Sequence, residues 1–370
     1  MDDDLKSIAA ARRTAETAFT AYQKFLGTDP AHVDAIVDSM ARAIEPVAKE
    51  LAALAVEETG YGNVPDKRLK NLFNALSVAD FLRDVTTLGM LWRDDATKVA
   101  AFGEPMGVVA ALIPVTNPTS TIIFKVLSAV KAGNAIVCAP HPRGIKCGMA
   151  TIKVMADAAE QMGAPKGLIQ CLDQVTIAGT AELMSHRRTS VVMATGGPAM
   201  VKAAYSSGKP TLAVGAGNVP CYVHKSKGGE IGEVAEMIVT SKCFDYGTAC
   251  VSEQAVIADP EIARELRQEM KMRGAYFCTL AESDRLSKVI FTGKQAMNAE
   301  RVGQSPQALA DAAGFSIPPK TRCLVSEETE IGWHRPLSAE KLNPVLAFYE
   351  VRDSQHGIEM SINIAKFEGW

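Results

Sequence analysis

The sequence predicts an α/β protein of two domains, each built on a parallel sheet with helices packed against it. Two observations carry that reading. From residue 106 onward, short apolar runs alternate with helix-like segments, the βαβα pattern that gives parallel strands joined by crossover helices. The alternation restarts near Cys221, after the glycine-rich run VGAGNVP at 214–220. A length of 370 residues also favours about two domains. The expected division is 1–218 and 219–370.

Taken in order, the first ~95 residues read as helices. AHVDAIVDSMARAIEPVAKELAALAVEETG has apolar residues at helical spacing and stops at a glycine, and a further helical segment runs from about Lys67 to Val85. MGVVAALIPV, NAIVCAP, GLIQCL, SVVMATG and TLAVGAG then read as strands, and the segments between them as helices. The second set consists of CYVHK, a helix over 228–243, EQAVIAD, a helix over 261–272 and AYFCTL. Two later strands follow, TRCLVSE and PVLAFYEV.

Composition narrows the function classes. Apolar residues make up 47% and charged residues 22%, an ordinary balance for a buried core, and the net charge of −3 gives no electrostatic case for nucleic acid or an anionic membrane. The N-terminus lacks the basic and apolar regions of a signal peptide, and VVAALIPV at 108–115 is too short to span a bilayer. The expected location is the cytosol. Eight cysteines are scattered without a CxxC pair or a nearby histidine at zinc-ligand spacing, so no metal site is expected.

Five stretches can carry chemistry. In SKCFDYGTACVSEQ, Cys243 continues an apolar helical stripe with Ala235 and Val239, a packing position. Cys250 follows the small residues Gly247-Thr248-Ala249 at a turn-to-strand junction, where a nucleophile or a buried filler both fit. In IPVTNPTSTIIFK, Asn117 either donates an amide hydrogen bond from a strand's end or only shapes the turn, and Thr119 or Ser120 is expected to cap the next helix. In ATGGPAMVKAA, Thr195, Gly196 and Gly197 lead into a helix with Pro198 near its start, a plausible pyrophosphate seat but a weak motif alone. His141, Arg143 and Lys146 follow a strand, facing a nucleotide's ribose and phosphates or simply solvated. Glu340 precedes the Asn343-Pro344 turn, where a lone glutamate is ordinarily solvated.

In this order, FGEPMGVVAALIPVTNPTS, CAPHPRGIK, MATGGPAMVKAAYSSGKPTLAVGAGNVP, SKCFDYGTACVSEQ and EKLNPVLAFYE resemble the aldehyde dehydrogenase superfamily. The likeness is to its coenzyme-A-acylating branch, in particular the acetaldehyde dehydrogenase (acetylating) portion of bifunctional aldehyde–alcohol dehydrogenases. It runs from about residue 5 to the last residue. The resemblance implies a Rossmann-type nucleotide-binding domain over 1–218 and a catalytic domain over 219–370, truncated at AKFEGW, where family members continue into Gly-His-Thr and a further portion. It makes Cys250 the nucleophile and Asn117, with the Cys250 N–H, the oxyanion donor. Thr116, His141, Arg143, Thr195, Gly196, Gly197, Gly215 and Glu340 become the cofactor-binding set, for NAD or NADP. Coenzyme A is the implied co-substrate, with a homodimer or higher homo-oligomer and a cytosolic or bacterial-microcompartment location.

One departure bears on the product. Hydrolytic members carry a glutamate where Val214 stands here, so no obvious general base activates water against an acyl-enzyme. A thiol is more acidic and more nucleophilic than water, which favours a thioester product. Acetaldehyde is the expected substrate type, with sulfoacetaldehyde, propionaldehyde and succinate semialdehyde as the related options. Arg187, Arg188 or His141 are candidates for an anionic tail, and Tyr246 for the acyl site. The alternatives are an incomplete nucleotide-binding scaffold and a hydrolytic enzyme that releases free acid.

Overall fold

An N-terminal helix of small residues begins the chain. In α1 (Asp3–Phe25), Ala11, Ala15 and Ala18 recur at helical spacing and are fully buried, while Asp2 caps the first turn. The computed structural model describes residues 2–293 and 295–367, and the last residues of AKFEGW, 368–370, lie outside the described residues. The chain divides into two units, residues 1–60 with 64–215, and residues 61–63 with 216–370. The division falls after Gly215, and the return of Tyr61–Asn63 to the second unit is not contained in the linear 1–218 reading.

In the first unit, Asp29 caps α2 (Pro30–Ile44), with Pro30 at its first position. α3 (Ala48–Thr59) stops at Gly60 in the left-handed region, as the glycine signal predicts. α4 (Val64–Leu72) passes through one π turn into α5 (Val78–Arg83). Next come β1 (Gly89–Asp94) and β2 (Val99–Gly103), an antiparallel pair that the all-helical reading of this region missed. Most of both strands is exposed, so the buried/exposed alternation that signals a strand is absent.

The main sheet of this unit follows as β3 (Val108–Ile113), α6 (Pro118–Lys131), β4 (Ala135–Pro140), α7 (Ile145–Gln161) and β5 (Ile169–Cys171). It continues as α8 (Ile177–Ser185), β6 (Thr189–Thr195), α9 (Pro198–Tyr205) and β7 (Thr211–Val214). The strands are parallel in the order β5-β4-β3-β6-β7. β3 and β4 are buried along their whole length, as strands covered on both faces must be. The strand order reverses between β3 and β6, and the crevice beyond the carboxyl ends at such a point is where open α/β sheets bind ligands.

The second unit carries β8 (Pro220–Val223), α10 (Ile231–Cys243), β9 (Ala255–Ala258), α11 (Pro260–Met272), β10 (Ala275–Phe277) and α12 (Leu280–Ile290). A short hairpin of β11 (Phe291–Thr292) and β12 (Ala296–Met297), α13 (Pro306–Ala312), β13 (Cys323–Glu327), β14 (Val345–Glu350) and α14 (Ser354–Lys366) complete it. Its parallel sheet has the order β10-β13-β14-β9-β8. Because β14 and β9 pair with Ala347 opposite Ala255, the loops that precede them emerge side by side. Those loops carry Glu340 and Cys250.

Candidate active site

In the first unit, the site residues leave the ends of β3 and β6. Asn117 follows β3 and is the N-cap position of α6, with Pro118 first in the helix. No side chain caps this helix. Thr119 instead donates to Asn71 Oδ1 at 2.7 Å, and Thr119 and Ser120 both lie inside α6, so the expected cap is corrected. The cause is α4, whose Lys67, Lys70 and Asn71 share one helical face and all reach the 116–119 turn. Lys67 donates to the Thr116 carbonyl at 2.9 Å and Lys70 to Asn117 Oδ1 at 2.6 Å. An ammonium only donates, so the amide oxygen must face Lys70 and the NH2 end is the donor. One of its N–H groups reaches Thr116 Oγ1 at 3.2 Å. Sequence reasoning saw α4 only as a helix; its signal was the KRLKN spacing.

Between these strand ends, Lys125 is buried and donates to the carbonyls of Leu112 at 2.7 Å and Met193 at 2.9 Å, tying β3 to β6. Burial pulls its pKa down to about 7. Gly196 donates its N–H to the Val214 carbonyl at 3.1 Å, and Gly197 is the exposed N-cap of α9. A Cβ at Gly197 would meet nothing within 4 Å, so the helix N-terminus is open. Val214 is exposed at the end of β7, and half-buried Gly215 follows it.

The turn after β4 differs. The N–H groups of Lys146 and Cys147 at the start of α7 both donate at 2.8 Å to the Glu58 carboxylate, which fills that anion seat from within the chain. Arg143 donates to the Thr59 carbonyl, and its own N–H reaches His141 Nδ1 at 3.1 Å. Burial and then the Arg143 charge hold the half-buried His141 below the usual histidine value. Arg187 and Arg188 both pair with Glu16 of α1, and Arg188 lies over the Phe19 ring. Both guanidinium groups are thus engaged by a carboxylate of α1 in this unit.

In the second unit, α10 ends at Cys243, whose Sγ donates to the Arg322 carbonyl at 3.1 Å. The chain then reverses through three left-handed residues, Asp245 (φ 50°), Tyr246 (φ 51°) and Gly247 (φ 70°). Such conformations cost about 1–2 kcal/mol each for residues with a Cβ. Asp245 is fully buried and holds the reversal: Oδ1 accepts from Asn63 N at 2.8 Å and Oδ2 from Thr248 Oγ1 at 2.6 Å. Gly247 is required twice, because a Cβ there would also sit 2.4 Å from the Asn343 carbonyl oxygen.

Beyond the reversal, Ser252 N donates to Ala249 O at 3.0 Å and closes a turn with the half-buried Cys250 at its second position. Glu340, solvated by its local sequence and a cofactor contact by the resemblance, is 5% exposed and accepts from Gly217 N at 3.4 Å. Burial pushes the thiols of Cys138, Cys147, Cys171, Cys221 and Cys278 up, which leaves them protonated and inert. Cys323 is raised first by the Cys243 thiol beside it and then by burial. No group of metal-ligating side chains occurs among the described residues, nor any described helix long and apolar enough to cross a membrane.

The comparisons with known proteins agree on one family. The family model described as "Aldehyde dehydrogenase family" matches residues 2–277. Aldehyde-alcohol dehydrogenase 2 of Entamoeba histolytica is 42% identical over 327 residues, covering 86% of this chain and 37% of that protein. The chain thus spans well under half the length of that relative. The acylating sulfoacetaldehyde dehydrogenase of Bilophila wadsworthia is 35% identical, with 88% of this chain and 70% of the relative covered. An acetylating aldehyde dehydrogenase from Geobacillus thermoglucosidasius superimposes with a TM-score of 0.96 at 47% identity, covering 100% of this chain and 81% of that one. A propionaldehyde dehydrogenase from Rhodopseudomonas palustris, solved with CoA and an acylated cysteine, gives 0.86 at 28% identity, with 96% and 80% covered.

Proposed function

The chain belongs to the aldehyde dehydrogenase family, and from that premise we propose that it oxidises a short-chain aldehyde to its acyl-CoA thioester, with NAD or NADP as oxidant. The observation that carries this reading is the Cys250 turn, where a strained reversal sets a half-buried thiol just before β9, off any helix or strand, while burial raises the thiols of Cys138, Cys147, Cys171, Cys221 and Cys278. Acylating relatives and the CoA-bound propionaldehyde dehydrogenase support the thioester product. The exposed Val214 supports it as well, because no carboxylate stands there to activate water.

In this mechanism the Cys250 thiolate adds to the aldehyde carbonyl, and the oxygen takes hydrogen bonds from the Asn117 amide and the Cys250 N–H. The nicotinamide would supply the two-electron acceptor for the hydride, with Thr116, His141, Arg143, Thr195, Gly196, Gly197, Gly215 and Glu340 as its proposed binding set. Cys250 is left as a thioester, whose acyl group passes to the CoA thiol and frees the cysteine. Lys70 fixes which end of the Asn117 amide faces that oxygen. Acetaldehyde is the proposed substrate, with sulfoacetaldehyde next. The enzyme is proposed to act in the cytosol as a homo-oligomer, and the exposed Met90, Trp92 and Phe102 of the β1–β2 hairpin are apolar surface such an assembly would cover.

NADH formation on a panel of aldehydes, with and without CoA, tests the reading. CoA-dependent acyl-CoA is the expected product. Free acid formed at comparable rates without CoA returns the chain to the hydrolytic branch. Asn117→Ala is expected to lower kcat by about 10²–10³, the usual cost of one oxyanion donor.

A further inference from the structure

Lys242 is fully buried in the last turn of α10, one residue before Cys243. Its ammonium has one hydrogen-bond acceptor among the described residues, Gln254 Oε1 at 3.1 Å, and it forms no ion pair. The same oxygen accepts from the Lys341 backbone N–H at 3.1 Å, and Gln254 Nε2 reaches toward the Ser252 carbonyl at 3.5 Å. Because lysine can only donate, the orientation of this amide is forced. Gln254 itself is fully buried, with its N–H on Val219 O at 2.8 Å and its carbonyl on Ala347 N at 3.0 Å.

One buried side chain thus sits between the turn that carries Cys250 and the segment that carries Glu340. The titratable groups whose charge acts on Lys242 are Glu253 from the loop before β9, Cys323 from β13, Glu340 from the loop before β14 and Cys243 from its own helix. Glu253 Oε2 is buried without a hydrogen-bond partner among the described residues. A buried ammonium so sparsely bonded is a costly group to keep for packing alone, since an apolar residue of similar volume is commonly as stable or more so.

We propose that Lys242 is a positioning residue for the Cys250 thiol: in its charged form it orients Gln254, and Gln254 ties the Cys250 turn to the Glu340–Asn343 segment. This rests on the acylating reading for what Cys250 does, and goes beyond it in naming what holds the thiol in place. Burial pulls Lys242 down to about 8, so the tie weakens within the working range of pH as the ammonium loses its proton.

The test compares Lys242→Met, Gln254→Met and the double variant with the unaltered chain. Three readouts are used: kcat and KM across pH 6–10, thermal midpoint, and the rate at which iodoacetamide labels Cys250, located by mass spectrometry. Each single variant is expected to lower kcat and shift the labelling rate by about tenfold or more, with the thermal midpoint of Lys242→Met unchanged or raised. The double variant should be no worse than the worse single, because both act through one contact. The unaltered enzyme should lose kcat above pH 8, and Lys242→Met should lack that limb. Wild-type kcat and labelling in Lys242→Met would overturn the proposal, as would additive losses or a loss that only follows a fall in thermal midpoint. If no aldehyde gives NADH with the unaltered chain, the acylating reading fails, while the labelling rates still decide whether Lys242 governs the thiol.

Discussion

Cys243 and Cys250 lie seven positions apart in one stretch, equally half-buried, and end in different backbone settings. Cys243 closes α10, packs against the core of its unit and gives its S–H to a backbone carbonyl. Cys250 lies past a reversal that no helix could continue through, half-buried in a turn. The two share chemistry, solvent and nearly the same sequence neighbourhood. What separates them is the three left-handed residues between, kept in place by a buried carboxylate and by a backbone approach that only glycine permits. The position proposed to react is made by bending the chain off its apolar stripe, and the strain is the cost of that departure.

The widest gap between the two sulfurs should appear on deletion. Cys250→Ala is expected to abolish NADH and acyl-CoA formation while leaving the thermal midpoint near that of the unaltered chain. Acyl-CoA formed at normal rates by this variant would remove Cys250 from the mechanism. Breaking the reversal comes next. Gly247→Ala forces a side chain into φ 70° and against the Asn343 backbone, and should cost about 3 kcal/mol by urea unfolding, with at least about a tenfold fall in kcat. Full activity in a destabilised Gly247→Ala would mean that the reversal is needed for folding and not for placing the thiol.

Much of this was readable in advance, and the failures have common causes. The strands β3, β4, β6, β9 and β14 announce themselves as apolar runs because both faces are covered. Cys243's packing role follows from its spacing with Val239 and Ala235. The β1–β2 hairpin escaped because most of its residues are exposed, so periodicity carries no message. Lys67 and Lys70 escaped because a contact across nearly fifty residues, from α4 to the turn after β3, leaves no local trace. His141, Arg143 and Lys146 read either as facing a nucleotide or as a solvated basic loop, and Glu58, far upstream, takes the helix N-terminus they flank. At Gly197 the start of α9 is open, with nothing within 4 Å of where a Cβ would stand.

Lys242, the neighbour of Cys243, gives a smaller effect that depends on pH. Its pKa of about 8 in the folded chain lies below the ordinary 10.5, so between those values the native state binds fewer protons than the unfolded state. Stability from this group therefore rises as pH goes from 8 to 10.5, and the charged residue is a burden below that window. Lys242→Met should remove this rise. The difference between the two chains is expected to narrow by a few kcal/mol from pH 7.5 to 10, measured by urea midpoints. Parallel curves would mean that Lys242 keeps its proton throughout.

The smallest effect belongs to Cys243→Ala. The variant loses a weak S–H donor and part of a packed side chain, which should cost about 1 kcal/mol or less. Activity should stay within about twofold of the unaltered chain, because the reversal lies between this sulfur and the one proposed to react. The sharper readout is Cys323, whose thiol is held up first by Cys243 and only then by burial. With Cys243 gone, the pH at which Cys323 reacts with a thiol reagent under mild urea should move down. A tenfold loss of kcat in Cys243→Ala would erase the distinction between the two cysteines, since the helix-end sulfur would then be part of the chemistry that the turn was bent to host.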